Sequence, residues 1–150
     1  MTEAEPKQNA PNGRAFAYDA FISYRKAEPD RTFARRLLRK LEGQGIRVAI
    51  DERDFDPSAH FLQEMERCVK QSRYTLAILS PQYLDSGNCE AEAVICTVLD
   101  MSERRRRLIP LVIEPVRMPI WLYAIVGINF TDRAPLVDPF QKLFKKLETD

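Results

Sequence analysis

AFAYDAFISY, residues 15–24, is the stretch of sequence that decides the fold. Its centre, residues 20–22 (AFI), is continuously apolar, which is typical of a strand buried on both faces. Such a strand belongs inside a parallel sheet that helices cover on both sides. A polar turn at residues 25–30 follows, and Asp30 is the predicted N-cap of a helix that ends at Gly43.

Apolar runs and helical patterns alternate along the rest of the chain. This alternation predicts an α/β fold, a flavodoxin-like, doubly wound sheet of five parallel strands flanked by helices. Pro110 lies inside a predicted strand, which suggests a bulge or a position that needs no ladder donor. The further predicted strands are 46–50, 74–79, 108–113 and 128–130. Four helices are predicted between and after them, and each has one apolar face. These faces are formed by Phe33, Leu37, Leu38, Leu41; Phe61, Leu62, Met65, Cys68, Val69; Val94, Ile95, Val98, Leu99; and Phe140, Leu143, Phe144, Leu147.

Length and charge narrow the class of protein. The 150 residues fit one domain, predicted at 15–150, after a polar lead at 1–14 that we expect to be disordered. Lys+Arg 23 against Asp+Glu 22 is nearly neutral, so we expect no nucleic-acid partner. The exception, Arg104 to Arg107, is predicted to be a solvated helix end. No apolar run reaches the roughly 20 residues that span a bilayer, so we expect no membrane partner.

The cysteine and histidine pattern favours neither disulfides nor a metal. Cys68, Cys89 and Cys96 are an odd number without CxxC spacing, and His60 is the only histidine. A reducing, cytoplasmic location is therefore expected. His60 is predicted to lie at the surface or beside a helix N-cap.

Ligands of doubly wound sheets bind beyond the carboxyl ends of the strands. The residues to watch are therefore 24–25, 51–56, 80–88 and 114–119. A phosphate-receiving domain of this architecture would need an acidic pair after its first strand, where this chain has Ser-Tyr-Arg at 23–25. The five glycines form neither GxGxxG nor a Walker A loop, which excludes the common nucleotide cofactors. We expect no cofactor.

Three segments resemble the conserved boxes of Toll/interleukin-1 receptor (TIR) domains. Residues 18–24 (YDAFISY) resemble the first box, and residues 51–57 (DERDFDP) resemble the second. Residues 77–83 (AILSPQY) resemble the segment that precedes the family's third helix. Phe140 stands where the third box has Phe-Trp, although the Trp is absent. The resemblance covers residues 17–148, in the family's order.

The resemblance implies an active site. TIR domains that cleave NAD carry S-x-W-C-x-x-E, and Ser86, Cys89 and Glu92 match this motif while Asn88 replaces the Trp. Glu92 is then the catalytic carboxylate, but a glutamate in the first turn of a helix also favours the helix dipole without any catalysis. The implied substrate-binding residues are Tyr24, Arg25, Asp51, Ser86 and Asn88.

Each of the first three implied binding residues also has a structural interpretation. Tyr24 is equally consistent with packing against the loop, and Arg25 with a solvated surface charge. Arg25 is otherwise able to pair with a dinucleotide phosphate. Asp51 either binds a substrate hydroxyl or caps the second strand, and capping is the more conservative interpretation.

The second box implies a self-association loop formed by Asp54, Phe55, Asp56 and Pro57, with Phe55 as its apolar anchor. The family often has a glycine after the loop proline, where this chain has Ser58. By resemblance the loop docks between neighbouring TIR domains, so other TIR domains or further copies of this chain are the expected protein partners.

The function that follows is NAD+ glycohydrolysis, which yields nicotinamide and ADP-ribose or cyclic ADP-ribose, with NAD+ as substrate. Activation by self-association into a homo-oligomer or filament is expected, in anti-phage or innate immune signalling, with a possible sensor domain outside this sequence. The alternative is a non-enzymatic adaptor that signals through TIR–TIR contacts. A third interpretation is a pathogen mimic that binds host TIR domains.

Overall fold

The structure is a computed structural model that describes residues 16–83, 107–115, 127–131 and 137–148. Strands and helices alternate in it, as the hydrophobic pattern predicts. In chain order, the elements within these ranges are β1 (Tyr18–Ser23), α1 (Asp30–Gly43), β2 (Val48–Ile50), α2 (Asp51–Asp54), α3 (Phe61–Gln71), β3 (Ser72–Leu79), β4 (Leu108–Val112), β5 (Ile128–Asn129) and α4 (Pro139–Glu148).

The five strands form one sheet in the order β2-β1-β3-β4-β5, and every pair is parallel. Ile22 of β1 is level with Ile50 of β2 on one side and with Leu76 of β3 on the other. The chain therefore moves outward from β1 to β2 and then crosses to β3, which places the topological switch point between β1 and β3. The predicted fold class is confirmed.

Helices cover both faces of this sheet. Successive β1 residues point to opposite faces, so Ile22 joins one apolar cluster and Phe21 joins the other. α1 and α4 cover the first face, and α3 covers the second. The helical residues buried on the first face are Ala34, Leu37, Leu41, Phe140, Leu143, Phe144 and Leu147, and those on the second are Met65, Cys68 and Val69.

The amino end of α1 differs from the sequence prediction. Pro29 occupies the N-cap position, and Asp30 is the first helical residue with no capping hydrogen bond from its side chain. The prediction of Asp30 as N-cap is wrong, because its carboxylate is completely buried and accepts a hydrogen bond from Ser80 instead.

Other boundaries shift as well. Asp51 begins the one-turn helix α2, whose last residue, Asp54, is also the first residue of the predicted self-association loop. Phe61 and Leu62 are 40% and 45% exposed, so the prediction that they lie on the buried face of α3 is wrong. They occupy the first turn of that helix. The β3–β4 register runs through Pro110 without a bulge. The predicted helix with Val94, Ile95, Val98 and Leu99 lies outside the described residues.

None of the helices in the described ranges is both long enough and apolar enough to cross a membrane.

Gly127, directly before β5, provides a test of the packing between β4 and β5. A Cβ at this position would lie 2.6 Å from the Pro110 carbonyl oxygen, which belongs to a strand paired on both sides. Gly127→Ala is expected to lower the free energy of unfolding by about 1–3 kcal/mol through overpacking. Gly43→Ala is the control, since a Cβ there meets nothing within 4 Å. Urea unfolding checks both, and wild-type stability of Gly127→Ala would contradict the packing described.

Candidate functional site

Three polar segments meet at the carboxyl edge of the sheet. Residues 24–26 follow β1, Asp51 follows β2, and Ser80 follows β3. Because β1 pairs with both β2 and β3 in parallel, the three strand ends are adjacent in space. These residues lie at the switch point, the position where doubly wound sheets bind their ligands, and we call this group of residues the cleft.

Tyr24 is a completely buried residue of this cleft. Its hydroxyl lies beside the Asp51 carboxylate. Burial raises the pKa of the Tyr24 phenol, and the neighbouring charge of Asp51 raises it further. Tyr24 therefore stays protonated at neutral pH, with a hydroxyl able to donate a hydrogen bond.

Lys26 brings the loop after β1 against the segment after β2. Its ammonium donates to the Tyr24 carbonyl oxygen at 2.7 Å and lies 3.4 Å from Asp51 Oδ2. The same ammonium lies 4.2 Å from the centre of the Tyr24 ring and 5.8 Å from that of Phe61. A cation over an aromatic face is attracted by the ring quadrupole. Lys26 thus lies between a buried ring and an exposed one, at the mouth of the cleft.

Arg25 is held on the opposite side of the loop. Its Nη2 donates to the Glu28 carbonyl oxygen at 2.8 Å and lies 3.6 Å from Asp30 Oδ1. The side chain is 25% exposed, and its Nε has no hydrogen-bond partner in the described part of the chain. The guanidinium is therefore anchored from within the protein while part of it remains accessible to a ligand.

Hydrogen bonds tie the loop after β3 to β1 and α1. Ser23 Oγ and Tyr83 Oη are 2.6 Å apart, and Ser80 Oγ donates to Asp30 Oδ2 at 2.6 Å. These four side chains are buried, with exposures of 2% or less. Tyr83 is the last described residue before the segment that carries the predicted motif.

The structure brings together three of the predicted site residues, Tyr24, Arg25 and Asp51. Ser86, Asn88 and Glu92 lie outside the described residues, as does Cys89, and their roles stay predictions. The Tyr24 ring is packed in the interior, as the structural interpretation of this residue expects. Arg25 is not a fully solvated surface charge, since it contacts Glu28 and Asp30 and is only partly exposed.

Lys26, Asp30 and Phe61 are site residues that the sequence interpretation missed. Lys26 adjoins Arg25 in the sequence, and that pair of cations was an available signal. The burial of Asp30 depends on Ser80, fifty positions away, and has no local signal. Phe61 directly follows His60, the N-cap of α3. Its position in the first turn of that helix was the available signal that the Phe61 ring is exposed.

The predicted self-association loop is anchored to the domain rather than extended into solvent. Asp54 Oδ2 accepts from the Ile50 amide at 2.9 Å. The Phe55 ring stacks on Phe21 at 6.2 Å between centroids and contacts Phe61 at 5.3 Å. Phe55 is therefore half-buried in the domain's own core, and the neighbouring exposed apolar surface belongs to Phe61 and Leu62.

Two residues of α3 hold the loop backbone. Glu64 Oε1 accepts from the Asp56 amide at 2.9 Å and from Arg67 Nη2 at 2.8 Å. Arg67 Nη2 also lies 3.2 Å from the Asp54 carbonyl oxygen, to which it donates. The hydrogen bond from Arg67 and that from Asp56 lower the pKa of the Glu64 carboxyl.

The remaining candidates for chemistry have structural roles in the described part. His60 Nδ1 accepts from the Leu62 amide at 3.3 Å as the N-cap of α3. Cys68 is a free, buried thiol whose pKa burial raises to about 11. Within the described ranges, no group of three or more His, Cys, Asp or Glu side chains is arranged to hold a metal ion.

Comparison with known families identifies this architecture. A sequence model of the TIR domain matches residues 20–147, most of the chain. The chain belongs to the TIR domain family. The three matching segments, 18–24, 51–57 and 77–83, therefore lie in the fold that the family uses, and Tyr24, Asp51 and Ser80 are their residues at the carboxyl edge.

Relatives of this TIR domain include an enzyme and a receptor. It is 28% identical over 109 residues to the probable 2′ cyclic ADP-D-ribose synthase BdTIR of Brachypodium distachyon, covering 73% of this chain and 46% of the relative. It is 27% identical over 103 residues to human Toll-like receptor 1, covering 69% and 13%. The chain thus spans less than half the length of these curated relatives.

Solved TIR domains share the fold. The TIR domain of the Toll-related receptor TRR-2 from Hydra magnipapillata superposes with a TM-score of 0.72 at 23% identity, covering 87% of this chain and 98% of that one. A metazoan TIR-STING receptor from C. gigas, in complex with 2′,3′-cGAMP, gives a TM-score of 0.72 at 25% identity, covering 88% and 40%.

The anchoring of the loop by Glu64 predicts a pH-dependent stability. Glu64→Gln removes a charge that accepts three hydrogen bonds, so it is expected to lower the free energy of unfolding at pH 7 by about 1–3 kcal/mol. Because the folded-state pKa of Glu64 is lowered, its contribution is complete above the unfolded value of about 4.3. The contribution is lost as the pH falls through the folded-state pKa.

Denaturant titrations from pH 7 to pH 3 check this expectation. The difference between wild type and Glu64→Gln should shrink as the medium becomes acidic. Glu66→Gln is the matched control, since Glu66 pairs with Lys70 at 3.0 Å on the exposed side of the same helix. Such a pair contributes only about 0.3–0.5 kcal/mol. A difference that is independent of pH, or equal for both variants, would contradict the anchoring role.

Proposed function

We propose that this TIR domain is an NAD+ glycohydrolase. The observation that carries the proposal is the arrangement of Arg25 and Lys26 at the switch point of the sheet, beside the buried wall of Tyr24 and Asp51. The two cations follow the same strand, and Asp51 follows the strand next to it. A cleft that holds two cations and a carboxylate suits a ligand that carries both phosphates and hydroxyls.

Each group has a role that fits its chemistry. The Arg25 fork matches the geometry of a phosphate oxygen pair, and it is already held by Glu28 and Asp30. The Asp51 carboxylate lies beside the Lys26 ammonium and the Tyr24 hydroxyl, and a carboxylate has acceptor capacity for a ribose hydroxyl as well. The exposed ring of Phe61 offers an apolar surface at the mouth of the cleft.

The reaction needs only one carboxylate near the ribose. The bond from ribose C1′ to the nicotinamide nitrogen breaks, and its electron pair stays on that nitrogen, which loses its positive charge. The leaving group is thus neutral without protonation and needs no general acid. The carboxylate of Glu92 stabilises the oxocarbenium-like ribose, in the way that glycosidase carboxylates do. Water then adds to C1′ and loses a proton, or a group of the same molecule adds and gives a cyclic product.

The relatives support this chemistry by name. BdTIR is called a probable 2′ cyclic ADP-D-ribose synthase, so a TIR domain with 28% identity to this one is associated with cyclised ADP-ribose. In this chain, the motif Ser86-x-x-Cys89-x-x-Glu92 begins three residues after Tyr83, which is fixed to Ser23. We propose Ser86 and Asn88 as substrate contacts on that segment.

We further propose that self-association activates the enzyme. The segment Asp54–Pro57 projects its exposed residues beside the exposed apolar pair Phe61 and Leu62. Since Phe55 packs inward, the apolar pair provides the contact area that the sequence assigned to Phe55. The partner is another TIR domain, either a second copy of this chain or a TIR domain joined to a sensor, and the proposed setting is anti-phage or innate immune signalling in the cytoplasm.

The second candidate function is a non-enzymatic adaptor. Asn88 in place of the family Trp favours it, since an aromatic that the cleaving members carry is missing. Human Toll-like receptor 1, a receptor, is also among the relatives. The same apolar surface at Phe61 and Leu62 would then serve recruitment of other TIR domains without cleavage.

Nicotinamide release from NAD+ separates the two functions. Wild type at high protein concentration is expected to release nicotinamide, and Glu92→Ala is expected to be slower by about 100-fold or more, as for loss of an electrostatic stabiliser. Glu90→Ala, two positions earlier in the sequence, is the matched control and should keep activity. Circular dichroism verifies that all three proteins are folded.

Two outcomes would contradict the proposal. If wild type releases no nicotinamide even when tethered into oligomers, the enzymatic function is wrong and the adaptor function stands. If Glu92→Ala and wild type cleave NAD+ equally, the site assignment is wrong although the activity exists.

A further inference from the structure

Asp30 is a buried carboxylate that connects two loops of the cleft. It is the first residue of α1 and has no exposed surface. Its Oδ2 accepts from Ser80 Oγ at 2.6 Å, and its Oδ1 lies 3.6 Å from Arg25 Nη2. The carboxylate therefore bridges the segment after β1 and the segment after β3.

The burial of Asp30 is only partly compensated. Its Oδ1 has no hydrogen-bond partner within the described ranges, although the residue is completely buried. A buried charge is costly unless it is paired and hydrogen-bonded. The helix N-terminus and Ser80 offset part of this cost. The remaining oxygen faces Arg25, and a buried polar atom left in this way calls for a functional explanation.

Arg25 is held at its Nη2 by two groups of the protein, the Glu28 carbonyl oxygen and the Asp30 carboxylate. Glu28 fixes Nη2 through its carbonyl oxygen at 2.8 Å, and the Asp30 charge lies next to the same nitrogen. A guanidinium is a rigid planar fork, so two contacts at Nη2 restrict the directions in which its other nitrogens can point. An oriented fork loses less entropy when it binds a phosphate than a freely rotating one does.

We propose that Asp30 is a positioning residue for anion binding at this cleft: it orients Arg25 toward the diphosphate of the dinucleotide and, through Ser80, couples that orientation to the loop after β3. The inference rests on the proposed function and names a residue outside the three boxes. Asp30 does not touch the ligand and acts only through Arg25.

Asp30→Asn separates this role from a structural one. The amide oxygen still accepts from Ser80, whereas the charge that faces Arg25 is removed. The KM for NAD+ is expected to rise about tenfold, while kcat stays within about twofold of wild type, because an interaction equal in ground and transition states is weakened. A residue that only holds the fold together would lower activity through the fraction of folded protein, with KM unchanged.

Asp19→Asn is the matched control. Asp19 is also a buried carboxylate of the β1 region, and it accepts from Arg47 at 2.9 and 3.1 Å. It lies at the amino end of β1, opposite the cleft. This variant loses a comparable buried charge, so it is expected to be less stable than wild type with an unchanged KM.

A double-mutant cycle with Arg25→Ala tests whether Asp30 acts through Arg25. In the Arg25→Ala background, Asp30→Asn should raise KM no further, since the group that it positions is gone. Independent, multiplicative effects would overturn the proposal. Should Asp30→Asn fail to fold, Ser80→Ala provides the second variant. This variant removes the hydrogen bond that Ser80 donates to the Asp30 carboxylate. The KM for NAD+ is expected to rise about threefold, again only when Arg25 is present.

A binding measurement distinguishes failure of this inference from failure of the proposed function. ADP-ribose is titrated calorimetrically into the full chain, which reports on the site without any cleavage. If wild type binds ADP-ribose and Asp30→Asn binds it equally well, the positioning role is wrong and the dinucleotide site stands. If wild type neither binds ADP-ribose nor cleaves NAD+, both proposals are wrong.

Discussion

β1 is hydrogen-bonded along both edges, to β2 and to β3, and both pairings are parallel. Because parallel strands end at the same edge, the residues that follow all three strands are brought to one place, although Arg25, Asp51 and Ser80 are far apart in the sequence. The apolar run of β1 is what permits this position, since both of its faces are covered by helices. The cleft is therefore a direct consequence of burying this one strand.

Two ion pairs determine the charge distribution in the cleft. The near-neutral total charge of the chain hides a local arrangement in which Lys26 pairs with Asp51 and Arg25 faces Asp30. The Asp30 oxygen that faces Arg25 is buried without a hydrogen bond in the described part of the chain, which costs stability. The two pairs therefore place charges of both signs at the carboxyl edge of the sheet.

The sequence predicted the sheet well because hydrophobic runs and helical spacing are local signals. The buried residues of α4, such as Phe140 and Leu143, lie on the predicted face for this reason. Long-range effects were not predictable in the same way. Asp30 is buried by Ser80, and Phe55 turns inward onto Phe21, and neither partner is a sequence neighbour. The resemblance to TIR boxes located the strand ends that meet at this edge, but the contacts of Arg25 with Glu28 and Asp30 have no signal in the sequence.

The most direct test of the central claim, that the carboxyl edge of the sheet binds the dinucleotide, is a map of backbone amide chemical shifts. NAD+ is added to the 150-residue Glu92→Ala protein, so that binding proceeds without cleavage. We expect the largest changes at residues 24–26, 51–52 and 80–83, where the three strand ends meet. Changes confined to the opposite edge, at Asp19 and Arg47, or no change at saturating NAD+, would contradict the claim.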